Sequence, residues 1–246
     1  MMVEVVEGII INVKSYSETS KIVDIFTKEY GIIRVLAKGA KTLKSKLRSV
    51  TDKLTYGKFT IYYKKDKLSI LNEASIIDNL SNIKKSIEKI GYVSYILDLS
   101  TQVYKQNNTY DIYNLMISAI LKINSNLNPL IITNILELKY LNYLGIGLNL
   151  GGCSVCGKKQ VITLSSEKGG YLCNKCRKEE PLVDNKIIKL IRMYSLVDIS
   201  KISKLDLNNE IVLFINNFID EYYDRYSGLY LKSKTFLQKL NNITKN

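Results

Sequence analysis

Four cysteines constrain this chain more tightly than any other feature. Cys153 and Cys156 stand two residues apart, sixteen residues follow, and Cys173 and Cys176 repeat the first spacing. Two intervening residues let both thiolates of a pair reach one ion from a single tight turn. The whole pattern fits the zinc template of two such pairs about 15–20 residues apart. Gly157 follows the first pair, where a knuckle turn needs a permissive backbone, and Gly169-Gly170 can turn the chain back ahead of the second. No cysteine is left over. Two disulfides conflict with a reducing compartment, and a redox pair needs a thioredoxin-like βαβ setting that the flanking pattern lacks. An iron–sulfur cluster also accepts four thiolates, but zinc ribbons and knuckles are far commoner at this spacing. The expectation is one zinc ion, and a structural one, because four thiolates leave no position open for water.

The cysteine segment interrupts a chain of otherwise two-part character. Residues 3–78 read as strands: Val3–Val13, Lys21–Thr27, Ile32–Ala37, Leu54–Tyr63 and Leu68–Ile77, with Glu29-Tyr30-Gly31 and Lys65-Asp66 as turns. Gly8 reads as a bend or bulge in the first strand, and residues 38–53 as a basic loop with room for a short helix. Five short strands suggest a small barrel, with the five-stranded OB type leading and an SH3-like barrel as the competitor. From Asn79 the period becomes helical. Ile83, Ile87, Ile90, Ile96 and Leu97 form one stripe, and Ile112, Leu115, Met116, Ala119 and Ile120 another; both read as packed core. Asn128-Pro129 starts a third helix that stops at Gly145. Helices also follow over 184–194 and 207–226, with Asp184 and Asp206 as caps, then a short one over 231–240 and a fraying tail over 241–246. The expected class is an α+β multidomain chain: an OB-type nucleic-acid-binding barrel over 1–79, a helical domain over 80–150 resumed over 182–246, and a four-cysteine zinc-binding insert over 151–181.

Charge narrows the function. The 246 residues carry 36 Lys and Arg against 23 Asp and Glu, a net charge of +13. Such a field favours an anionic partner, and nucleic acid fits better than a membrane because no basic amphipathic helix stands out. No apolar run approaches the roughly 20 residues needed to cross a bilayer, and the first residues lack a signal-peptide pattern, so a cytoplasmic protein is expected. Histidine is absent altogether. That removes Ser-His and Cys-His nucleophile pairs and His-ligated metals. No phosphate-cradling glycine motif is present, and the carboxylates are scattered. No enzyme is expected. Between Glu29 and Asp52 there is no acidic residue, while Arg34, Lys38, Lys41, Lys44, Lys46 and Arg48 recur every two to four positions. That spacing can follow a phosphate backbone without reading sequence. Tyr30 and Tyr56 stand nearby as stacking surfaces for bases. The competing reading is a solvated loop in a lysine-rich chain. Further cations, Lys186, Lys189, Arg192, Lys232 and Lys234, can extend a path over the helical part.

These residues carry a family resemblance. Gly8-Ile9-Ile10-Ile11, Tyr16-Ser17-Glu18-Thr19-Ser20-Lys21-Ile22-Val23, Thr27-Lys28-Glu29-Tyr30-Gly31 and Ala37-Lys38-Gly39-Ala40-Lys41 through Lys44-Ser45 resemble the N-terminal signature of the bacterial DNA repair family RecO. Leu136-Glu137-Leu138-Lys139-Tyr140-Leu141, Gly145, Cys153-x2-Cys156-Gly157, Gly169-Gly170-Tyr171-Leu172-Cys173 and Leu231-Lys232-Ser233 are similar to its later segments, in the same order. A proline expected shortly after Gly145 is absent, with Leu148 and Asn149 there instead. The resemblance implies an OB fold, a helical body and a zinc insert. It implies binding of single- and double-stranded DNA, annealing of complementary strands, and help in loading RecA onto DNA coated by single-stranded-DNA-binding protein, with RecR as partner. It also implies DNA contacts at Lys21, Arg34, Lys38, Lys41, Lys44 and Lys46, and a place in the cytoplasm at the nucleoid. The alternative is an RNA-binding module with a zinc ribbon and an OB fold.

Overall fold

Alternating apolar residues close the N-terminal barrel. The structure, a computed structural model, describes residues 2–243. Five strands, β1 (Met2–Ser15), β2 (Lys21–Thr27), β3 (Gly31–Ala37), β4 (Tyr56–Tyr63) and β5 (Ser69–Asp78), form a closed barrel in the order β1-β2-β3-β5-β4. β1 is long enough to pair with β2 through Gly8–Ser15 and with β4 through Met2–Ile9, which closes the ring. β3 and β5 run parallel, and all other neighbours are antiparallel. This is the OB-type barrel the strand pattern predicts. Val23, Ile25, Ile33, Val35, Phe59, Ile61 and Leu71 meet in its interior, one residue in two along each strand.

Three local expectations change. The bulge in β1 lies between Ile10 and Asn12, not at Gly8. Gly8 is there for close approach: a Cβ on it would stand 2.7 Å from Ile25 Cγ2 and 2.8 Å from the Phe26 oxygen. The β3–β4 segment forms no helix. Its N–H groups close separate turns, Thr42 to Gly39, Ser45 to Thr42 and Arg48 to Ser45. Thr42 and Thr51 hydroxyls bond to backbone carbonyls there, which competes with helical pairing. Ile87 is 66% exposed, so it drops out of the predicted apolar stripe, whereas Ile83, Ile96 and Leu97 are buried.

The helices are α1 (Ser81–Lys84), α2 (Ile87–Asn107), α3 (Asp111–Asn124), α4 (Pro129–Tyr143), α5 (Asn185–Leu196), α6 (Asn209–Tyr226) and α7 (Lys232–Ile243). The chain divides into two compact units. One runs to Ile90 and includes Asn108–Ile117; the other comprises Gly91–Asn107 and the chain from Ser118 on. Asn128 caps α4, accepting from Leu130 and Ile131 N–H at 3.0 and 3.2 Å. Gly145, at φ +73°, ends it, with Ile146 N–H reaching back to the Leu141 oxygen. Asp184 caps α5 as expected, but Asn208 rather than Asp206 caps α6, because the first helical turn starts two residues later than the apolar pattern suggests. α7 extends through residues 241–243, part of the stretch expected to fray; residues 244–246 lie outside the described residues. Among the described residues no helix is long and apolar enough to cross a membrane.

Candidate nucleic-acid interface and metal centre

The barrel's outer surface at β2 and β3 follows from their register. Inward Val23, Ile25, Ile33 and Val35 leave Ile22, Asp24, Ile32, Arg34 and Leu36 pointing out, with Ile22 opposite Leu36 and Asp24 opposite Arg34. The β4–β5 turn lies beside β3, because Ser69 and Ile70 pair with Val35 and Leu36. Together they make a groove of about 450 Å³ lined by Tyr30, Arg34, Tyr63, Lys64 and Lys67, with one carboxylate, Asp66, among them; the two tyrosines are half-buried and pack against the barrel core. Tyr30 and Tyr63 stack with ring centroids 4.2 Å apart and an interplanar angle of 21°. In OB barrels the β2–β3 face with the β1–β2 and β4–β5 loops is where oligonucleotides lie. Here it presents aromatic rings beside cations, the combination that suits a single strand.

The cations named from the sequence divide into two groups. Arg34 Nε donates to Asp24 Oδ1 at 2.8 Å, and Lys21 pairs with Asp52 at 2.8 Å, its own side chain only 16% exposed. Lys41 donates to the Ser17 carbonyl at 2.6 Å. Lys38, Lys44, Lys46 and Arg48 are exposed and, among the described residues, form no ion pair. The β3–β4 segment is held to the β1–β2 loop through Lys41 N–H to the Thr19 oxygen at 2.8 Å. Asp24 is half-buried: burial pushes its carboxyl up, but hydrogen bonds from Arg34 and Asn12 outweigh that and hold it below the usual range. It thus remains an anion on the cationic face. Tyr56 is no stacking surface. It is buried and donates to Glu7 Oε1 at 2.8 Å, at the register irregularity between Tyr56 and Gly57. Tyr63, Lys64 and Lys67 were not singled out in the sequence; two adjacent tyrosines running into a basic β-turn are the signal that points to them. Lys234 is also withdrawn from any path, paired with Asp220 and Asp224 at 3.2 Å each.

The cysteines are brought together by a small sheet, β6 (Asn149–Cys153), β7 (Thr163–Ser165) and β8 (Gly170–Leu172), in the order β6-β8-β7. β7 and β8 form the hairpin expected from Gly169-Gly170. All four Sγ atoms lie within 4.8 Å of one another. The Cys156 and Cys173 sulfurs are 3.6 Å apart, too far for a disulfide and close to the edge, about 3.8 Å, of a tetrahedron with metal–sulfur bonds of about 2.3 Å. Gly157, at φ +73°, sends its N–H to the Cys153 carbonyl, and Cys176 and Arg177 N–H both reach the Cys173 carbonyl. These are two matching knuckles. Burial raises the Cys153 thiol, but backbone N–H groups of Cys156, Cys173 and Val155 outweigh it and bring it down to about 6. The Cys176 thiol moves the other way, up to about 12, because it shares hydrogen bonds with the neighbouring sulfurs, so only part of the set is disposed to be thiolate before a cation arrives. The donor set fits a thiophilic ion in a closed, four-coordinate site.

Comparison with known proteins identifies the family. The family model for the N-terminal part of recombination protein O matches residues 1–80, and that for its C-terminal part matches residues 84–235. DNA repair protein RecO of Listeria monocytogenes serotype 4b is 34% identical over 242 residues, 96% of this chain and 94% of its own length. The RecO of Halalkalibacterium halodurans is 33% identical over 243 residues, covering 96% and 95%, and that of Bacillus cytotoxicus 31% over 248 residues, covering 98% and 99%. With the two family models matched in order and relatives similar along nearly the full length, this chain belongs to the recombination protein O family and has its role in DNA repair and recombination.

Proposed function

We propose that this chain is a non-enzymatic recombination mediator. It binds single- and double-stranded DNA, anneals complementary strands, and helps RecA load onto DNA coated by single-stranded-DNA-binding protein, in concert with RecR, at the nucleoid in the cytoplasm. The observation that carries the reading is the barrel groove, where the Tyr30–Tyr63 stack stands beside Arg34, Lys64 and Lys67. Bases stack on the rings while phosphates meet the cations. Lys21, Lys38, Lys41, Lys44, Lys46 and Arg48 extend the contact along the neighbouring loops. Neutralising phosphates lowers the repulsion between two strands, which is what annealing needs from a protein without catalytic groups. The ion in the cysteine site is zinc, one per chain, where it fixes the fold of the insert and takes no part in chemistry.

Annealing of complementary oligonucleotides, timed with and without single-stranded-DNA-binding protein, tests the reading. Acceleration in both conditions is expected; no effect on naked strands would sink it. An OB groove of this kind also suits RNA, so competition of RNA against DNA of equal length separates the alternative. A preference for RNA would favour a translation-associated module. Elemental analysis should give one zinc per chain; iron instead would overturn the metal assignment.

A further inference from the structure

Residues 151–204 carry 11 Lys and Arg against 5 Asp and Glu, an excess that the barrel reading does not use. Part of it gathers in a groove of about 650 Å³ formed by the cysteine insert and α5. Lys159 from the insert and Lys189 and Arg192 from α5 stand along it, and no carboxylate lines it. Lys189 and Arg192 lie three residues apart, on one helix face. Both are exposed, and among the described residues neither joins an ion pair. The Lys159 ammonium donates to the Gly151 carbonyl at 3.0 Å, which fixes its place without neutralising it. By contrast Lys168 and Lys201, in the same stretch, are matched by Glu167 and Asp198. The floor is aliphatic, with Leu150, Val161, Ile162 and Leu182. Its one aromatic residue, Tyr171, is 2% exposed and spends its hydroxyl on the Ile188 carbonyl at 2.6 Å.

We infer that this groove is a second nucleic-acid seat, which holds the sugar-phosphate backbone of a DNA strand separate from the strand on the barrel. Three unmatched cations with no opposing carboxylate attract a polyanion. Lys158 and Lys186, both exposed, are sequence neighbours of the lining residues Lys159 and Asn185 and add to the positive charge of these two segments. With no exposed ring to stack on, this seat reads charge alone, unlike the barrel. The inference rests on the DNA-binding reading above and adds that one chain engages two strands at once, as pairing them requires.

The test is stoichiometry. An eight-nucleotide oligo-dT is titrated onto the full chain and the oligonucleotides per chain are counted by native mass spectrometry. Wild type is expected to hold two. The charge-reversed variant Lys159→Glu/Lys189→Glu/Arg192→Glu is expected to hold one, at an affinity within about twofold of the tighter wild-type site, and to anneal at least tenfold more slowly. The milder Lys159→Gln/Lys189→Gln/Arg192→Gln guards against misfolding; it should lower the salt slope of the weaker site by about 2, from roughly 0.7 per lost contact. Arg34→Glu/Lys64→Glu/Lys67→Glu should also leave one oligonucleotide, now at the groove. Two oligonucleotides on the charge-reversed groove variant overturn the inference, as do an unchanged salt slope in the glutamine variant and a wild type that saturates at one. A glutamate- and leucine-rich peptide that binds wild type but not the groove variants, with the oligonucleotide count unchanged, also overturns it and assigns the groove to a protein partner. A wild type that binds no oligonucleotide overturns the DNA-binding reading itself.

Discussion

The two units both bury apolar cores but differ in the polar groups they bury with them: hydroxyls such as Thr27 and Ser69 beside the barrel core, tyrosines and a carboxyl in the helical unit. The barrel's interior cluster, from Val6 and Ile10 through Phe59 to Leu71, is apolar throughout, and its charges stand outside. The helical unit runs polar pairs through its centre. The Tyr95 hydroxyl meets Glu137 Oε1 at 2.5 Å, Ser100 and Tyr140 share a hydrogen bond of 2.8 Å, and Tyr223 donates to the Glu137 carbonyl at 2.9 Å. Glu137 is 2% exposed; burial, with Asp220 facing it, pushes its carboxyl up to about 8. The difference teaches where charge is available to a partner. Half-buried ion pairs occur in both, Lys21 with Asp52 on the barrel and Lys234 with Asp220 in the helical unit, but among the described residues the buried carboxyl, Glu137, belongs to the helical unit.

Four measurements break or sharpen this contrast. The largest effect belongs to the metal. Removing it by chelation, or by Cys173→Ser, should destabilise the insert by several kcal/mol and speed amide exchange across β6, β7 and β8. Oligonucleotide binding by the barrel should persist, and its loss would show that the two units are not independent. Next is Glu137→Gln. The native carboxyl keeps its proton to about pH 8, while an unfolded glutamate loses it near the ordinary value of about 4.3. The native state therefore binds the extra proton between those values, and stability falls as pH rises across that window. Glutamine still accepts from Tyr95 and has no proton to lose, so the variant should gain about 2–4 kcal/mol near pH 8 and nothing near pH 4. Denaturant melts at the two pH values read the difference. Third, Arg34→Glu/Lys64→Glu/Lys67→Glu should weaken single-strand binding about a hundredfold at ~0.1 M salt, with circular dichroism unchanged. If Lys38→Glu/Lys41→Glu/Lys44→Glu has the larger effect, the loop rather than the groove is the principal seat. The smallest effect is expected from Asp24→Asn. It removes one anion from the face, leaving Asp66, and releases Arg34, and should tighten binding by about two- to fivefold with a steeper salt dependence. No change would mean that Arg34 does not touch the strand.

Much of this was legible in the sequence, for identifiable reasons. Strands were readable where one side faces a core, since alternation records which side is buried; β2, for example, begins and ends at Lys21 and Thr27 as the pattern suggests. The cysteine cluster was readable because its four donors are close in sequence and of one chemical type. The groove was not, because its residues come from β3 and from the β4–β5 turn, which meet only through barrel closure. Tyr56 misled because a tyrosine's exposure depends on strand register, which composition does not carry. The ion pairs of Lys21 and Arg34 were equally hidden: Asp52 and Asp24 become their neighbours only through the fold.

The parallel seam between β3 and β5 has a consequence for how ligand and fold are coupled. It is registered by only two residue pairs, Val35 with Ser69 and Leu36 with Ile70, whereas β2 and β3 share seven. The groove lies along that seam, with Arg34 on one margin and Lys67 and Leu68 on the other. A strand that touches both margins bridges the part of the barrel with the fewest ladder hydrogen bonds. Its binding free energy is then also closure free energy, growing as the logarithm of ligand concentration over Kd. Amide exchange at Val35, Leu36, Ser69 and Ile70 becomes the local gauge of occupancy, and a looser seam makes for a weaker grip.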